Sequence, residues 1–263
     1  MNAQTLRTLV GSVVVSLVFF AVVMGISMVC VSFNARWSPD VVWFPVPVIV
    51  LLVVSTIWAE KRWHIDLSHP TGISRTQMYA VGVALTVFGV CVTSTQGIFT
   101  DKVRAIEVYS ADVSPLFQMA YAFVMSVFAA ILAEVTFRGI MQTRMHTVLN
   151  VWPTIFIVTF INLVAHRWTP ELVQNAFGTF VILGAWTYLR WLTRSLWPPL
   201  VVHGLCNLVF ALWVWFVGPI YYAELSGMTI ALIVGAGLVS LAVTVFMTRK
   251  ILGSRPADQI KSW

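Results

Sequence analysis

The sequence predicts an all-α integral membrane protein, a single helical bundle of about eight transmembrane helices spanning residues 1–263. The chain is 59% hydrophobic and only 10% charged, and its mean hydropathy is +0.87. A soluble domain is roughly 45–50% apolar and about 25% charged. The chain has too little polar material for a water-facing surface, which excludes a soluble enzyme, a disordered protein and a secreted disulfide scaffold. Apolar stretches of about 20 residues, the length that crosses a bilayer, recur along the chain.

The spans follow one another with short connections. The first lies between Arg7 and Arg36 with no charge between them, which is too long for the ~7–15-residue apolar core of a signal peptide. Pro45 and Pro47 are expected to kink the start of the second span. The fourth stays apolar until Glu134 and then continues as a helix. The eight spans are expected at 7–36, 41–59, 76–100, 115–144, 150–166, 172–189, 196–217 and 228–248.

The basic residues divide unequally between the two sides of the membrane. The net charge is +6. The side that carries both termini has Arg7, Lys61, Arg62, Arg75, Arg144, Arg190, Arg194, Arg249, Lys250, Arg255 and Lys261. The opposite side has Arg36, Lys102, Arg104 and Arg167. Because cytoplasmic loops collect Lys and Arg, this division predicts that both termini are cytoplasmic. The dispersed charges argue against a nucleic-acid partner, and the expected partner is the lipid bilayer.

Five polar side chains fall where the bilayer should not tolerate them. They are Glu134, Arg138, His166, His203 and Asn207. An ionisable group at the centre of a span costs at least ~2.5–3.5 kcal/mol, so it is a functional candidate by default. Glu134 and Arg138 are four residues apart and share a helix face, as do His203 and Asn207. At a ~1.5 Å rise per residue, all but His166 fall at compatible depths in the cytoplasmic half of the membrane or near its middle.

Two interpretations of these residues are open. Glu134 and Arg138 could form a neutralising ion pair, while His203 and Asn207 hydrogen-bond neighbouring helices as packing contacts. Alternatively, a carboxylate and two imidazoles can deprotonate a water and stabilise a tetrahedral oxyanion, with an amide as a further donor. The second interpretation predicts hydrolysis of an acyl bond, most plausibly a peptide bond. The HExxH and GxSxG motifs of other hydrolases are absent from the sequence.

Three segments resemble the motifs of a known family. Residues 133–139 read AEVTFRG and resemble the EExxxR signature. Residues 195–207 read SLWPPLVVHGLCN and closely resemble the closing HxxxN signature, and His166 falls where the middle FxxxH motif ends. The family is the CPBP group, the type II CAAX prenyl endopeptidases and bacteriocin-processing (Abi) proteins. The resemblance covers residues 115–208, the fourth to seventh spans, as a catalytic core.

The chain departs from the family motifs at two positions. Ala133 stands where the family has the first glutamate, and Asn162 stands where it has the phenylalanine of FxxxH. The resemblance implies that the first glutamate activates water and that the second pairs with the arginine. Either Glu134 therefore performs both tasks, or the chain hydrolyses slowly or not at all. The resemblance favours a metal-free site, although zinc held by Glu134, His166 and His203 also fits the donor set.

The resemblance implies an intramembrane endopeptidase that cleaves a membrane-associated or lipidated substrate in a bacterial inner (plasma) membrane. Its catalytic residues would be Glu134, His166, His203 and Asn207, with Arg138 as the structural ion-pair partner. The alternative is a catalytically impaired family member that acts as a membrane scaffold, chaperone or immunity protein, which Ala133 favours. A small transporter or channel subunit is a third possibility, but the sequence has no internal repeat of the kind that marks transporters.

Overall fold

A computed structural model describes residues 3–38, 41–63, 65, 73–100, 103–104, 113–166 and 170–254, with backbone only at 104, 166 and 170–175. Eight helices make up most of this part of the chain, which confirms the predicted all-α fold. They are α1 Ala3–Trp37, α2 Pro45–Trp63, α3 Arg75–Phe99, α4 Pro115–Met145, α5 Val151–His166, α6 Pro170–Thr193, α7 Trp197–Phe216 and α8 Gly227–Gly253. The middle of α4, Glu134–Gln142, is wound as a π-helix.

The helices are those of a polytopic membrane protein. Five of the described helices, α1, α3, α4, α7 and α8, are long and apolar enough to cross a bilayer. α5 is apolar but shorter, and α2 ends in the charged residues Glu60, Lys61 and Arg62. The polytopic bundle is therefore confirmed, while the crossing of all eight helices and the cytoplasmic position of the termini stay predictions.

Helix starts follow local sequence signals. Ser74, Ser114 and Ser226 cap α3, α4 and α8 through hydrogen bonds from backbone N–H groups in the first turn. The start of α2 was predicted at residue 41 with proline kinks, and this is wrong. The helix begins at Pro45, because a proline fits the first helical position, where its missing N–H has no partner to lose.

α4 lies at the centre of the site-bearing region. One of its faces packs against α1 and α2, and another faces α5, α6 and α7. α3 packs along α6 and α8, and the α3–α6 contact is close because two glycines face it. A Cβ at Gly89 would lie 2.8 Å from the Ile182 side chain, and one at Gly178 would lie 2.7 Å from the Cα of Thr93. Small residues at such contacts let membrane helices approach backbone to backbone.

A short antiparallel β-ribbon pairs the segment that follows α3 with the segment that follows α7. It pairs β1 Val103–Arg104 with β2 Ile220–Tyr221, and a single 3₁₀ turn, Tyr222–Glu224, follows. Two-residue strands carry no sequence pattern, and the ribbon was not predicted.

Candidate active site

The site is built on the π-helical segment of α4. All nine residues of Glu134–Gln142 are buried. A π-helix widens the backbone spiral and is rare outside functional positions. The sequence analysis treated the segment as ordinary α-helix, because π-winding leaves no mark in the hydrophobic pattern.

The Glu134 carboxylate is the hub of the site. Its Oε1 lies 2.7 Å from Nδ1 of His203 and 3.3 Å from Nη1 of Arg138, and the side chain is fully buried. Its Oε2 has no hydrogen-bond partner among the described residues. One oxygen therefore carries both contacts, and the second carries none among the described residues.

Arg138 is held mainly by neutral acceptors. Its Nε donates to Oγ1 of Thr187 at 3.2 Å, and its Nη2 donates to the carbonyl of Leu183 at 2.8 Å. With its amide oriented to satisfy the network, Asn162 Oδ1 accepts from Nη1 at 2.6 Å and from Nη2 at 3.1 Å. The shortest contact of the guanidinium is thus to an amide, and its contact to Glu134 through Nη1 is longer. The expected ion pair of Glu134 and Arg138 is present at 3.3 Å, and His203 is a second and closer partner of the carboxylate at 2.7 Å.

His203 comes from the second turn of α7. The helix opens with Pro198 and Pro199 near its start, which fixes the first turn. The imidazole is buried and stacks on the Trp186 ring, with 3.7 Å between centroids and 21° between planes. Packing on one face and a hydrogen bond at Nδ1 hold the ring in one orientation.

The other predicted residues lie further from the carboxylate or outside the described part. Asn207 Nδ2 donates to the carbonyl of Ser126, two turns before Glu134 along α4, at 3.2 Å. α5 ends at His166, whose side chain lies outside what the structure describes. The structure thus brings together Glu134, Arg138 and His203 and places Asn207 on the same pair of helices, α4 and α7.

A second polar layer extends the site along α4. Gln142 Nε2 donates to the carbonyl of Thr187 at 3.0 Å and contacts His146 Nε2 at 3.3 Å. His146 follows the last residue of α4, and its pKa is lowered to about 4. Burial is the larger cause, and the positive charge of Arg190 adds to it. The imidazole is therefore neutral at neutral pH.

Sequence reasoning missed part of this constellation. Gln142 could have been identified from the sequence, since it lies four residues after Arg138, as Arg138 lies four residues after Glu134. Asn162 was noticed only as a departure from a motif. Thr187 and Trp186 look like ordinary span residues and carry no signal.

Comparison with protein families identifies the segment that carries these residues. Residues 115–209 match the family model described as type II CAAX prenyl endopeptidase Rce1-like. This segment is an Rce1-like domain. The match confirms the predicted resemblance to the CPBP group over this segment. The long apolar helices of the described part are those of an integral membrane protein. No curated protein and no solved structure matches the chain.

The Rce1-like domain runs from α4 to α7, so it contains all the site residues described above. α1, α2, α3 and α8 lie outside it. Its Ala133 is buried in an apolar cluster with Phe137, Met141, Met145 and Val158, on a different side of α4 from the Arg138 contacts.

Proposed function

We propose that the protein is an intramembrane endopeptidase in which Glu134 is the general base that activates water. The observation that supports the proposal is that the two oxygens of the Glu134 carboxylate have different numbers of partners. Oε1 is fixed by His203 and Arg138, while Oε2 is buried and without a partner among the described residues. Buried polar atoms are almost always hydrogen-bonded, so such an exception calls for an explanation. A catalytic water on Oε2 supplies one.

The proposed reaction is the hydrolysis of a peptide bond. Oε2 of Glu134 takes a proton from the water, whose oxygen attacks the carbonyl carbon and sends the C=O electron pair onto oxygen. When the tetrahedral intermediate collapses, the C–N bond breaks and the proton on Glu134 passes to the leaving nitrogen. The reaction needs no other reactant, and general base catalysis of this kind contributes about 10²–10⁴-fold.

The other site residues have supporting tasks in this proposal. His203 donates from Nδ1 to Oε1 and so aims the second oxygen at the water. Arg138 places a positive charge 3.3 Å from the same oxygen of the carboxylate. The amide of Asn207 and the imidazole of His166 are proposed as donors to the oxyanion, where a donor is worth about 10²–10³-fold.

The proposed mechanism assigns no step to a metal. A catalytic zinc takes three protein ligands. The described residues contain no group of three His, Cys, Asp or Glu side chains that could hold one, but the side chain of His166, the third member of the zinc set considered from the sequence, lies outside them. Glu134 and His203 face each other through a direct 2.7 Å hydrogen bond. We expect turnover to survive treatment with a chelator such as 1,10-phenanthroline.

The substrate proposed is a membrane-associated or lipidated peptide, approached from the bilayer of a bacterial inner membrane. The Rce1-like domain supports a prenylated CAAX peptide as the first probe, with the unprenylated peptide as its comparison. The site residues lie on α4 and α7, which are both long and apolar enough to span a bilayer, and this supports chemistry within the membrane.

The test measures cleavage of the prenylated peptide by the full chain in detergent micelles. We expect E134Q to lower turnover by at least about 10²-fold. Since this change also leaves the buried Arg138 without the counter-charge of Glu134, at roughly 3–5 kcal/mol, turnover is expressed per folded protein. E134D keeps the negative charge, but its shorter side chain moves the carboxylate away from its present position, so its turnover should also be low. The matched control is E60Q, which changes an exposed glutamate at the end of α2. Full turnover by E134Q would contradict the proposal.

One observation favours the alternative of a catalytically impaired scaffold, chaperone or immunity protein. Ala133 fills the position of the family's first glutamate, and its side chain is packed among apolar residues. On this alternative the native chain cleaves neither peptide, and E134Q changes only stability.

A further inference from the structure

Asn162 is a fully buried amide in the middle of α5, and its oxygen faces the Arg138 guanidinium. The guanidinium has five N–H groups on three nitrogens. Asn162 accepts from both terminal nitrogens, at 2.6 Å from Nη1 and 3.1 Å from Nη2. The Glu134 carboxylate shares only Nη1, through a single oxygen at 3.3 Å.

This arrangement differs from the usual geometry of arginine and a carboxylate. Such pairs are frequently bidentate, with two parallel N–H···O bonds that use both carboxylate oxygens. Here the amide oxygen occupies the terminal N–H groups that a bidentate pair would use. The carboxylate is thereby limited to one oxygen, and Oε2 stays without a partner among the described residues.

We infer that Asn162 is a positioning residue that keeps the Arg138 guanidinium off Oε2 of Glu134 and so reserves that oxygen for water. The inference rests on the proposed function. It also links the two departures from the family motifs. With Ala133 in place of one glutamate, the remaining carboxylate must serve as partner and as base, and the amide at 162 supplies the acceptor that makes both tasks possible.

The neighbourhood of Glu134 makes the inference testable by pH. Among the described residues, the titratable groups in contact with its carboxylate are Arg138 of α4 and His203 of α7. α5 and α6 contribute the neutral side chains of Asn162 and Thr187 around the guanidinium. A change at 162 therefore alters the charge distribution at Glu134 only through Arg138 or through the new side chain itself.

Two variants of Asn162 are expected to act in opposite directions. N162L removes the acceptor, so the guanidinium turns to both carboxylate oxygens. An opposite charge held more closely favours the ionised carboxylate, so the acid limb of the turnover–pH profile should move down by about one pH unit. The plateau of kcat should fall roughly threefold or more, because the base is weaker, with KM unchanged. N162D adds a negative charge beside Glu134, so the acid limb should move up.

The control is T154V, an isosteric change at a buried threonine two turns earlier on α5, whose hydroxyl has no hydrogen-bond partner among the described residues. This variant should not shift the acid limb of the turnover–pH profile. A merely structural role for Asn162 would lower the amount of folded N162L without moving its acid limb, whereas N162D would still move the limb through its own charge. That result would overturn the inference.

Infrared spectroscopy of the membrane-reconstituted full chain separates this inference from the proposed function. The carbonyl band of protonated Glu134, assigned by its loss in E134Q, can be titrated without any substrate. Opposite displacements of its titration in N162L and N162D support the positioning role even if no peptide is cleaved. Identical titrations in native protein and N162L would overturn it even if the native chain is an active peptidase.

Discussion

Two buried polar side chains, Asn34 in α1 and Glu134 in α4, show how this membrane protein treats structural and functional groups differently. Both are fully buried in otherwise apolar helices. Asn34 donates to the carbonyls of Ser38 and Val41 at 2.8 and 2.7 Å. Its oxygen accepts from the backbone N–H groups of Trp43 and Phe44 at 2.8 and 2.9 Å. All of its hydrogen-bonding capacity is used within ten residues of chain.

Glu134 has the opposite pattern. Its partners come from another helix or from the next turn, both contacts fall on one oxygen, and the other oxygen is unused within the described residues. A side chain whose hydrogen-bonding groups are all paired within the protein stabilises the backbone and has no free donor or acceptor for a ligand. An unsaturated buried side chain is a source of strain unless something else binds to it. The difference indicates that Asn34 stabilises the α1–α2 connection, and it fits the proposed catalytic role of Glu134.

On the Asn34 side of the comparison, the largest expected effect on stability comes from breaking the saturated group. N34L keeps the approximate volume but removes the partner of two backbone donors and two backbone acceptors. Each buried group left unsatisfied costs about 1–3 kcal/mol, and water at the helix end can satisfy some of them, so we expect a loss of about 2–5 kcal/mol. Thermal unfolding in detergent checks this, and turnover per folded molecule should not change.

Ser27 provides the matched control for N34L on the same helix. It is equally buried, but its hydroxyl only donates to the carbonyl of Val23 one turn earlier, which already belongs to the helix. S27A should therefore cost much less than N34L. Equal melting temperatures for N34L and native protein would contradict the structural role of Asn34.

The sequence predicted the helices well and the contacts within the site less completely. Hydropathy alone places eight helices, because a span must be apolar for its whole length. Glu134, Arg138 and His203 were identifiable because ionisable groups are rare in spans. The carbonyl of Leu183, the hydroxyl of Thr187 and the ring of Trp186 were not, since nothing in a sequence tells which apolar face of α6 turns inward. Asn34 was overlooked because an amide near a helix end looks like an interfacial residue.

A second, smaller effect is the pH dependence of stability that arises from His146, near the Glu134 site. Burial and the charge of Arg190 lower the pKa of His146 to about 4, below its usual value of about 6.5. The unfolded chain therefore binds a proton in this range and the folded chain does not. Stability is lost as the pH falls from about 6.5 toward 4, by about 1 kcal/mol between pH 6.5 and 5.5.

The variant H146Q isolates this contribution. Glutamine keeps a hydrogen-bonding group beside Gln142 but cannot take up a proton in this range. We expect the melting temperature of H146Q to fall less steeply with decreasing pH than that of the native chain. Asn34 itself does not titrate, so N34L should keep the native slope. Parallel curves for native protein and H146Q would show that the buried imidazole is not linked to folding.

The smallest expected effect, on turnover, comes from restoring the family's first glutamate. In this chain the side chain at 133 points into an apolar cluster with Phe137, Met141 and Val158, so A133E would bury a second carboxylate beside Glu134 without a partner. A buried like charge favours protonation of one of the two carboxylates, and Glu134 already offers an unpartnered oxygen. We therefore expect A133E to give no gain in turnover per folded protein. The variant A133Q has a side chain of equal size without the charge, so comparing the two variants separates the effect of the charge from that of the volume. If instead the native chain is silent and A133E alone cleaves the prenylated peptide, the base belongs at position 133, and the unpartnered oxygen of Glu134 is the remnant of a protease site rather than its working part.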